Sequence, residues 1–229
     1  LRTKIGPFRF SKPSAMHISA AELETTVMKA AIGAGVASGI AIEIGKAAVA
    51  LSDHGIDAST VIAIALKNLD RKDANGFAID DARNGIFLPK AGYLSAILAG
   101  PSICDLLASG QNKIIARDLD VPILAVSLLA ARRLGVNARH SAEDLPTATC
   151  ANGRFTIAEN QVSAWRHPGD IEFSLESPEG SIDQVRTARA NEVDGENWLQ
   201  ITMFADRCLV SGSEESRLQD AGAGLIDED

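Results

Sequence analysis

The sequence lacks the motifs that most directly reveal a chemical function. It contains no G-x-S-x-G elbow of a serine hydrolase and no H-E-x-x-H or C-x-x-C pattern of a zinc site, so we predict no cofactor and no metal. Its three cysteines, Cys104, Cys150 and Cys208, are odd in number and widely spaced. This pattern is typical of reduced core thiols rather than of a secreted disulfide framework.

Long hydrophobic runs and basic clusters are also missing. The longest apolar stretches, residues 30–42 and 121–131, are shorter than the roughly 20 residues that a membrane span needs. Basic runs after residue 15 do not exceed a pair, and only 4% of the residues are aromatic. We therefore expect a soluble cytoplasmic protein with no membrane and no nucleic-acid partner.

The charges divide the 229 residues unevenly. The net charge is −8, yet residues 1–15 carry four basic and no acidic side chains. We expect residues 1–15 to form a disordered basic extension. Residues 16–229 are predicted to form a single compact domain, helical over 16–140 and richer in β-structure over 141–229.

Local signals predict helices in the first part of this domain. The capping box from Ser19 to Glu22 predicts a helix that ends at Gly33. A helix from about Ala37 to Asp53 follows. His54 and Gly55 come directly after it and fit a helix C-terminus, which favours a protonated imidazole and a glycine stop. Further helices are predicted over residues 61–69, around 93–110 with an interruption at Gly100-Pro101, and over 121–134 with Pro122 in the first turn.

The second part favours strands. Asn152-Gly153 is a strong hairpin signal, and Ile171, Phe173 and Leu175 alternate with polar neighbours as in a half-buried strand. A strand is also predicted from Lys113 to Ala116, and a last helix from Asp194 or Glu196. The fold class is therefore α+β, in which a helix-rich N-terminal part packs with a smaller antiparallel β-hairpin region and a C-terminal helix.

The glycines of residues 33–39 permit two interpretations. A dinucleotide-binding loop also contains closely spaced glycines, but it must follow a strand. The residues before Gly33 have the capping and spacing of a helix, which favours a close helix-to-helix turn instead. An extended strand over residues 23–32 would restore the nucleotide-binding interpretation.

Four polar residues are the candidate site. Glu43 lies at the edge of the apolar stripe of its helix, where it is either a general base or the ion-pair partner of Lys46. In the C-terminal segment, Arg217 with Ser213 and Ser216 is the candidate substrate-binding group for an anion. The alternative is that Ser213 caps a short helical turn.

Six segments of the sequence together carry a family resemblance: residues 20–24, 29–35, 39–48, 99–105, 215–217 and 221–225. These segments resemble an uncharacterised bacterial family, domain of unknown function 3726. In that family a lysine-alanine-glycine turn precedes a helix with a G-x-A-x-E core, and Ser38 stands here where a tryptophan is usual. The resemblance implies relatives but transfers no catalytic residue.

The sequence alone leaves three functional hypotheses. The first is a small-molecule-binding metabolic enzyme, or a subunit of one, that acts on an acidic metabolite. The second is a non-catalytic binding or assembly module that forms a homo-oligomer. The third is a nucleotide-binding, Rossmann-like protein.

Overall fold

The fold is taken from a computed structural model, which describes residues 16–79, 85–140, 147–157, 161–175 and 192–208. The predicted α+β class is confirmed, whereas the basic segment 1–15 lies outside the described residues. The helices are α1 (Ala20–Gly33), α2 (Ser38–Asp53), α3 (Ala58–Asp70), α4 (Ala96–Ala108), α5 (Pro122–Ala131) and α6 (Gly195–Asp206), with a 3₁₀ turn at Ala164–Arg166. The strands are β1 (Met16–His17), β2 (Ala74–Asn75), β3 (Phe77–Ile79), β4 (Ile86–Pro89), β5 (Tyr93–Leu94), β6 (Lys113–Leu119), β7 (Val136–His140), β8 (Thr147–Ala151), β9 (Arg154–Thr156), β10 (Gly169–Ser174) and β11 (Glu192–Val193).

The predicted helix starts are present where short polar side chains can cap them. Ser19 Oγ accepts the N–H of Glu22 at 3.1 Å at the start of α1. Asp57 Oδ1 accepts the N–H of Ser59 at 2.9 Å at the start of α3, and Asp194 caps α6 in the same way. The residues before the glycine turn are therefore helical, and the turn does not follow a strand as a dinucleotide loop would.

Helices α1 and α2 are in backbone contact at a glycine. A Cβ added to Gly45 of α2 would lie 2.7 Å from the carbonyl oxygen of Glu24 in α1. A Cβ added to Gly39, in the same helix, would meet no atom within 4 Å. Only Gly45 is therefore required for the close approach of the two helices.

We expect Gly45→Ala to lower the free energy of unfolding by about 1 to 3 kcal/mol, because the methyl group forces α1 and α2 apart. Gly39→Ala is the matched control, and it should leave stability unchanged or raise it by up to about 1 kcal/mol. Urea denaturation of the two variants measures both effects. Equal effects of the two substitutions would contradict the close contact.

Helix α4 corrects one prediction. Gly100 and Pro101 do not interrupt it, since the helix continues from Ala96 to Ala108 with both residues buried. A Cβ at Gly100 would lie 2.5 Å from Leu128 Cδ1 of α5, so the glycine allows the two helices to pack closely. Packing of this apolar helix compensates for the hydrogen bond that Pro101 cannot donate.

Helix α5 is buried on nearly every face, and it begins at Pro122 as predicted. No helix in the described ranges is long and apolar enough to cross a membrane.

A mixed sheet organises the rest of the described chain. Its strands follow the order β2-β5-β6-β10-β7-β8-β9, with β4 also paired to β6 and β3 to β4. Strands β4 and β5 run parallel to β6, whereas β10 is antiparallel to both β6 and β7. The predicted strand at Lys113, the hairpin at Asn152-Gly153 and the strand through Ile171 are confirmed.

The strands are not confined to the second part of the chain. Strands β2 to β5 also precede residue 120, in the part predicted to be helical apart from the strand at Lys113 and an exposed connection or short hairpin over residues 71–81. Strands β2, β3 and β5 have only two or three residues each, too few to show an alternating pattern. Because β6 and β7 are both antiparallel to β10, the carboxyl ends of these two strands lie at the same edge of the sheet.

Candidate functional site

The structure places Glu43 in an ion pair between helices. Arg132, which follows α5, donates from Nε to Glu43 Oε2 at 3.0 Å and from Nη2 to Oε1 at 2.6 Å. The same guanidinium donates from Nη1 to Asp105 of α4. The sequence offered Lys46, three positions along the same helix, as the ion-pair partner of Glu43. The partner found, Arg132, is 89 positions away. Arg217, Ser213 and Ser216 lie outside the described residues.

His54 forms a structural link rather than a charged helix end. Its Nδ1 lies 2.6 Å from the carbonyl oxygen of Ala50, and its Nε2 accepts the N–H of Phe155 at 3.0 Å. Its ring stacks on that of Phe155, with centroids 4.2 Å apart. Burial lowers the pKa of His54 and outweighs the bond to Ala50, so the predicted imidazolium is wrong and the neutral ring joins α2 to β9.

The described cysteines are free thiols. Cys104 and Cys150 are buried as predicted, and burial raises the pKa of Cys104 to about 12. A thiol that stays protonated at neutral pH is a poor nucleophile, so Cys104 serves the core.

An irregular edge of the sheet carries a group of charged residues. Where β6 meets β10, the register shifts between Gly169 and Ile171, so that Arg117 and Asp118 form a bulge. Asp118 has a φ of 49°, which is uncommon for a residue with a side chain. Bulges and residues of this kind occur often beside functional sites, where they redirect side chains.

Asp170 holds this bulge in place. Its Oδ2 accepts from Arg117 Nη1 at 2.6 Å, and its Oδ1 accepts the N–H of Asp118 at 2.9 Å. Burial alone would raise the pKa of Asp170, but these two donors outweigh it and hold the pKa below its usual value. Asp170 is therefore an ionised residue at the edge of the sheet.

His140, the last residue of β7, lies directly against this edge. A Cβ added to Gly169 would lie 2.1 Å from His140 Nε2 and 2.4 Å from its Cε1, so the imidazole occupies the space that a side chain would take. On another side it meets the indole of Trp165 edge to face, with ring centroids 6.3 Å apart. Burial lowers the pKa of His140, although the charge of Asp170 acts in the opposite direction.

Among the described residues, three buried side-chain nitrogens have no hydrogen-bond partner: two belong to His140 and Trp165, whose rings are in contact, and the third belongs to Arg166, the next residue in the sequence. They are His140 Nδ1, Trp165 Nε1 and Arg166 Nε. The indole and guanidinium nitrogens can only donate, and Trp165 is fully buried. An unpaired buried donor costs about 1 to 3 kcal/mol, so acceptor atoms placed at Trp165 Nε1 and Arg166 Nε would stabilise the folded protein. We call His140, Trp165 and Arg166, with Gly169, the edge cluster.

A further buried polar residue, Asp120, comes one position after Leu119, which pairs with Gly169. Asp120 directly follows β6, and its Oδ1 accepts the N–H groups of Ala96 at 2.7 Å and Val121 at 2.8 Å. Its Oδ2 accepts from Asn68 Nδ2 at 3.3 Å. Burial raises the pKa of Asp120 to about 6 in spite of these donors. The carboxylate thus joins the starts of α4 and α5 to α3.

Sequence reasoning missed both the edge cluster and Asp120. Two local signals were available. One is the change from helical to strand-like sequence patterns after His140, and the other is the position of Asp120 two residues before Pro122, where a helix begins. Within the ranges that the structure describes, no three His, Cys, Asp or Glu side chains are grouped so that they could hold a metal ion. The donors of the edge cluster instead suit an acceptor such as a carboxylate.

One family model matches part of the chain. Residues 18–89 match the model of a family described as a protein of unknown function (DUF3726), which confirms the resemblance over α1 to α3 and Glu43. The resembling phrases at 99–105 and in the C-terminal segment lie outside the match.

Among solved structures, the chain is similar to a malate dehydrogenase from Pyrococcus horikoshii OT3, with 11% identity and a TM-score of 0.44. The similarity covers 84% of this chain and 80% of that one. No curated protein matches the chain.

Proposed function

We propose that the protein binds a small acidic ligand, such as a carboxylate metabolite, at the edge cluster. The observation that carries this proposal is the fully buried Trp165, whose Nε1–H has no acceptor among the described residues. Its neighbour Arg166 adds a second unpaired donor that belongs to a cation. Donors of this kind bind carboxylates more strongly than neutral acceptors.

The location supports the same proposal. His140 and Arg166 are half-buried, so the edge cluster borders solvent even though Trp165 does not. The cluster lies where the carboxyl ends of β6 and β7 flank the start of β10. Binding of an acid at this position would agree with the acidic metabolite that we expected from the sequence. The predicted roles of Glu43, Arg217, Ser213 and Ser216 stay predictions, because nothing here tests them.

The test is a thermal-shift screen with acetate, succinate, glutarate and inorganic phosphate against chloride at equal ionic strength. We expect at least one acid to stabilise the protein, by about 2.7 kcal/mol at a concentration 100-fold above Kd. Trp165→Phe keeps an aromatic ring at this position but removes the N–H donor, so it should weaken binding about 10- to 100-fold. Stabilisation by chloride to the same degree, or by no acid at all, would contradict the proposal.

Trp198→Phe is the matched control, since Trp198 is the other tryptophan of the chain and lies in α6. This variant should bind the acid with unchanged affinity. It also leaves Trp165 as the sole indole, so ligand binding should change its fluorescence emission. In Trp165→Phe, the emission of Trp198 should stay constant on titration.

A second candidate function is assembly into a homo-oligomer, which we propose from an exposed apolar pair. Leu199 and Met203 lie one turn apart on α6, and each is 61% exposed. Light scattering over about a hundredfold dilution tests this proposal, because an oligomer dissociates by mass action. A monomer at every concentration, or an oligomer that Leu199→Glu leaves intact, would contradict assembly through this face.

A further inference from the structure

The imidazole of His140 is fixed by its surroundings rather than free to rotate. Gly169 has no side chain, and the ring fills the space that a Cβ there would need. Trp165 bounds the ring on another side. Its Nδ1 is buried and has no partner among the described residues, so this nitrogen remains for a bound molecule.

The charges near His140 leave the ring uncharged without a ligand. From β10, Asp170 faces it, but that carboxylate is already paired with Arg117 of β6 and with the N–H of Asp118. The 3₁₀ turn that contains Trp165 carries one basic residue, Arg166. Burial is the larger influence, and it holds the pKa of His140 below its usual value. The ring is therefore neutral at pH 7.

We propose that His140 takes up one proton from solvent when the acidic ligand binds, so that the ligand is held against an imidazolium. This inference rests on the proposed function and names the charge state in which the site works. A neutral imidazole carries a hydrogen on one ring nitrogen only, whereas after protonation both nitrogens donate. His140 Nδ1 then becomes a third charge-assisted donor beside Trp165 Nε1 and Arg166 Nε.

The physical basis is linkage between the ligand and the proton. A carboxylate within hydrogen-bond distance favours the protonated form of a histidine by about 1 to 3 pKa units. The same coupling makes a protonated His140 bind the acid more tightly. Acid affinity should therefore fall as pH rises through the interval between the two pKa values of His140.

The test is isothermal calorimetry with acetate, succinate or glutarate, whichever stabilises most, in two buffers that differ in ionisation enthalpy. The buffer dependence should reveal net proton uptake, and Kd should rise by up to about tenfold per pH unit across the interval between the two pKa values of His140. His140→Asn should bind with no proton uptake and with little dependence on pH. Trp165→Phe, the control, should bind more weakly but keep the proton uptake.

Gly169→Ala provides a second variant that leaves His140 in the chain. Its Cβ should displace the imidazole and reduce both the affinity and the proton uptake, whereas Gly39→Ala should change neither. Binding of the acid without proton uptake would overturn this inference and leave the proposed function intact. Absence of binding at every pH would overturn both.

Discussion

Replacing Asp120 by alanine is expected to lower the free energy of unfolding by about 3 kcal/mol at pH 7. The substitution removes the acceptor for the N–H groups of Ala96 and Val121 and for the amide of Asn68. Asp120 is only 1% exposed, so water cannot replace the lost acceptor without entering the core. Urea denaturation of the two proteins measures the difference.

Asp120→Asn is the matched control for this prediction. Its Oδ1 can still accept both backbone N–H groups, and the amide of Asn68 can turn to present its oxygen. We expect its stability at pH 7 to lie within about 1 kcal/mol of the unmodified protein. If the alanine and asparagine variants are equally stable, Asp120 does not organise the starts of α4 and α5.

The same residue should give the protein a recognisable pH dependence. The pKa of Asp120 is about 6 in the folded protein, against about 3.9 for an unperturbed aspartate. Between these values the folded state binds more protons than the unfolded chain, so its free energy of unfolding falls as pH rises from about 4 to about 6. Over that interval the unmodified protein should lose about 2 to 3 kcal/mol relative to Asp120→Asn. A constant difference between the two proteins would contradict the raised pKa.

The helices could be predicted because their signals are local. Ser19, Asp57 and Asp194 each cap a helix from within three positions of the bond they accept. Pro101 shows the limit of such signals, since a proline breaks most helices but the packing of α4 on α5 keeps this one continuous. For residues 71–81, where β2 and β3 lie, the sequence offered only a connection or a short hairpin, and β5 was missed, because two or three residues cannot display a period.

The candidate site could not be predicted because its members come together only through the sheet. His140 and Gly169 are 29 positions apart, and their contact depends on the register of β7, β10 and β6. Small hydroxyl residues, an arginine and glycines favoured the C-terminal segment, where Arg217 lies, whereas the unpaired donors belong to His140, Trp165 and Arg166. The Trp165 N–H is buried and unpaired only in the folded chain, so the spacing of residues in the sequence cannot predict it.

Removing the cation that joins α2, α4 and α5 is the second change with a large expected effect. Arg132→Met should lower the free energy of unfolding by about 2 to 3 kcal/mol, because Glu43 and Asp105 then face each other without a guanidinium. The side chains of Arg132 and Glu43 are 28% and 27% exposed, so their pair is partly shielded from water. Asp105 is 67% exposed, and Asp105→Asn should therefore cost less than about 0.5 kcal/mol.

A double-mutant cycle with Glu43→Gln isolates the pair and also tests the predicted general base. Once Arg132 is methionine, Glu43→Gln should cost far less than it does alone, with a coupling of about 1 to 2 kcal/mol measured by urea denaturation. A carboxylate that accepts three hydrogen bonds from one guanidinium has little freedom to abstract a proton, so Glu43→Gln should leave acid binding at the edge cluster unchanged. Additive effects of the two substitutions would show that the pair contributes nothing to stability. Loss of acid binding in Glu43→Gln at full stability would restore Glu43 as a site residue, as the sequence predicted.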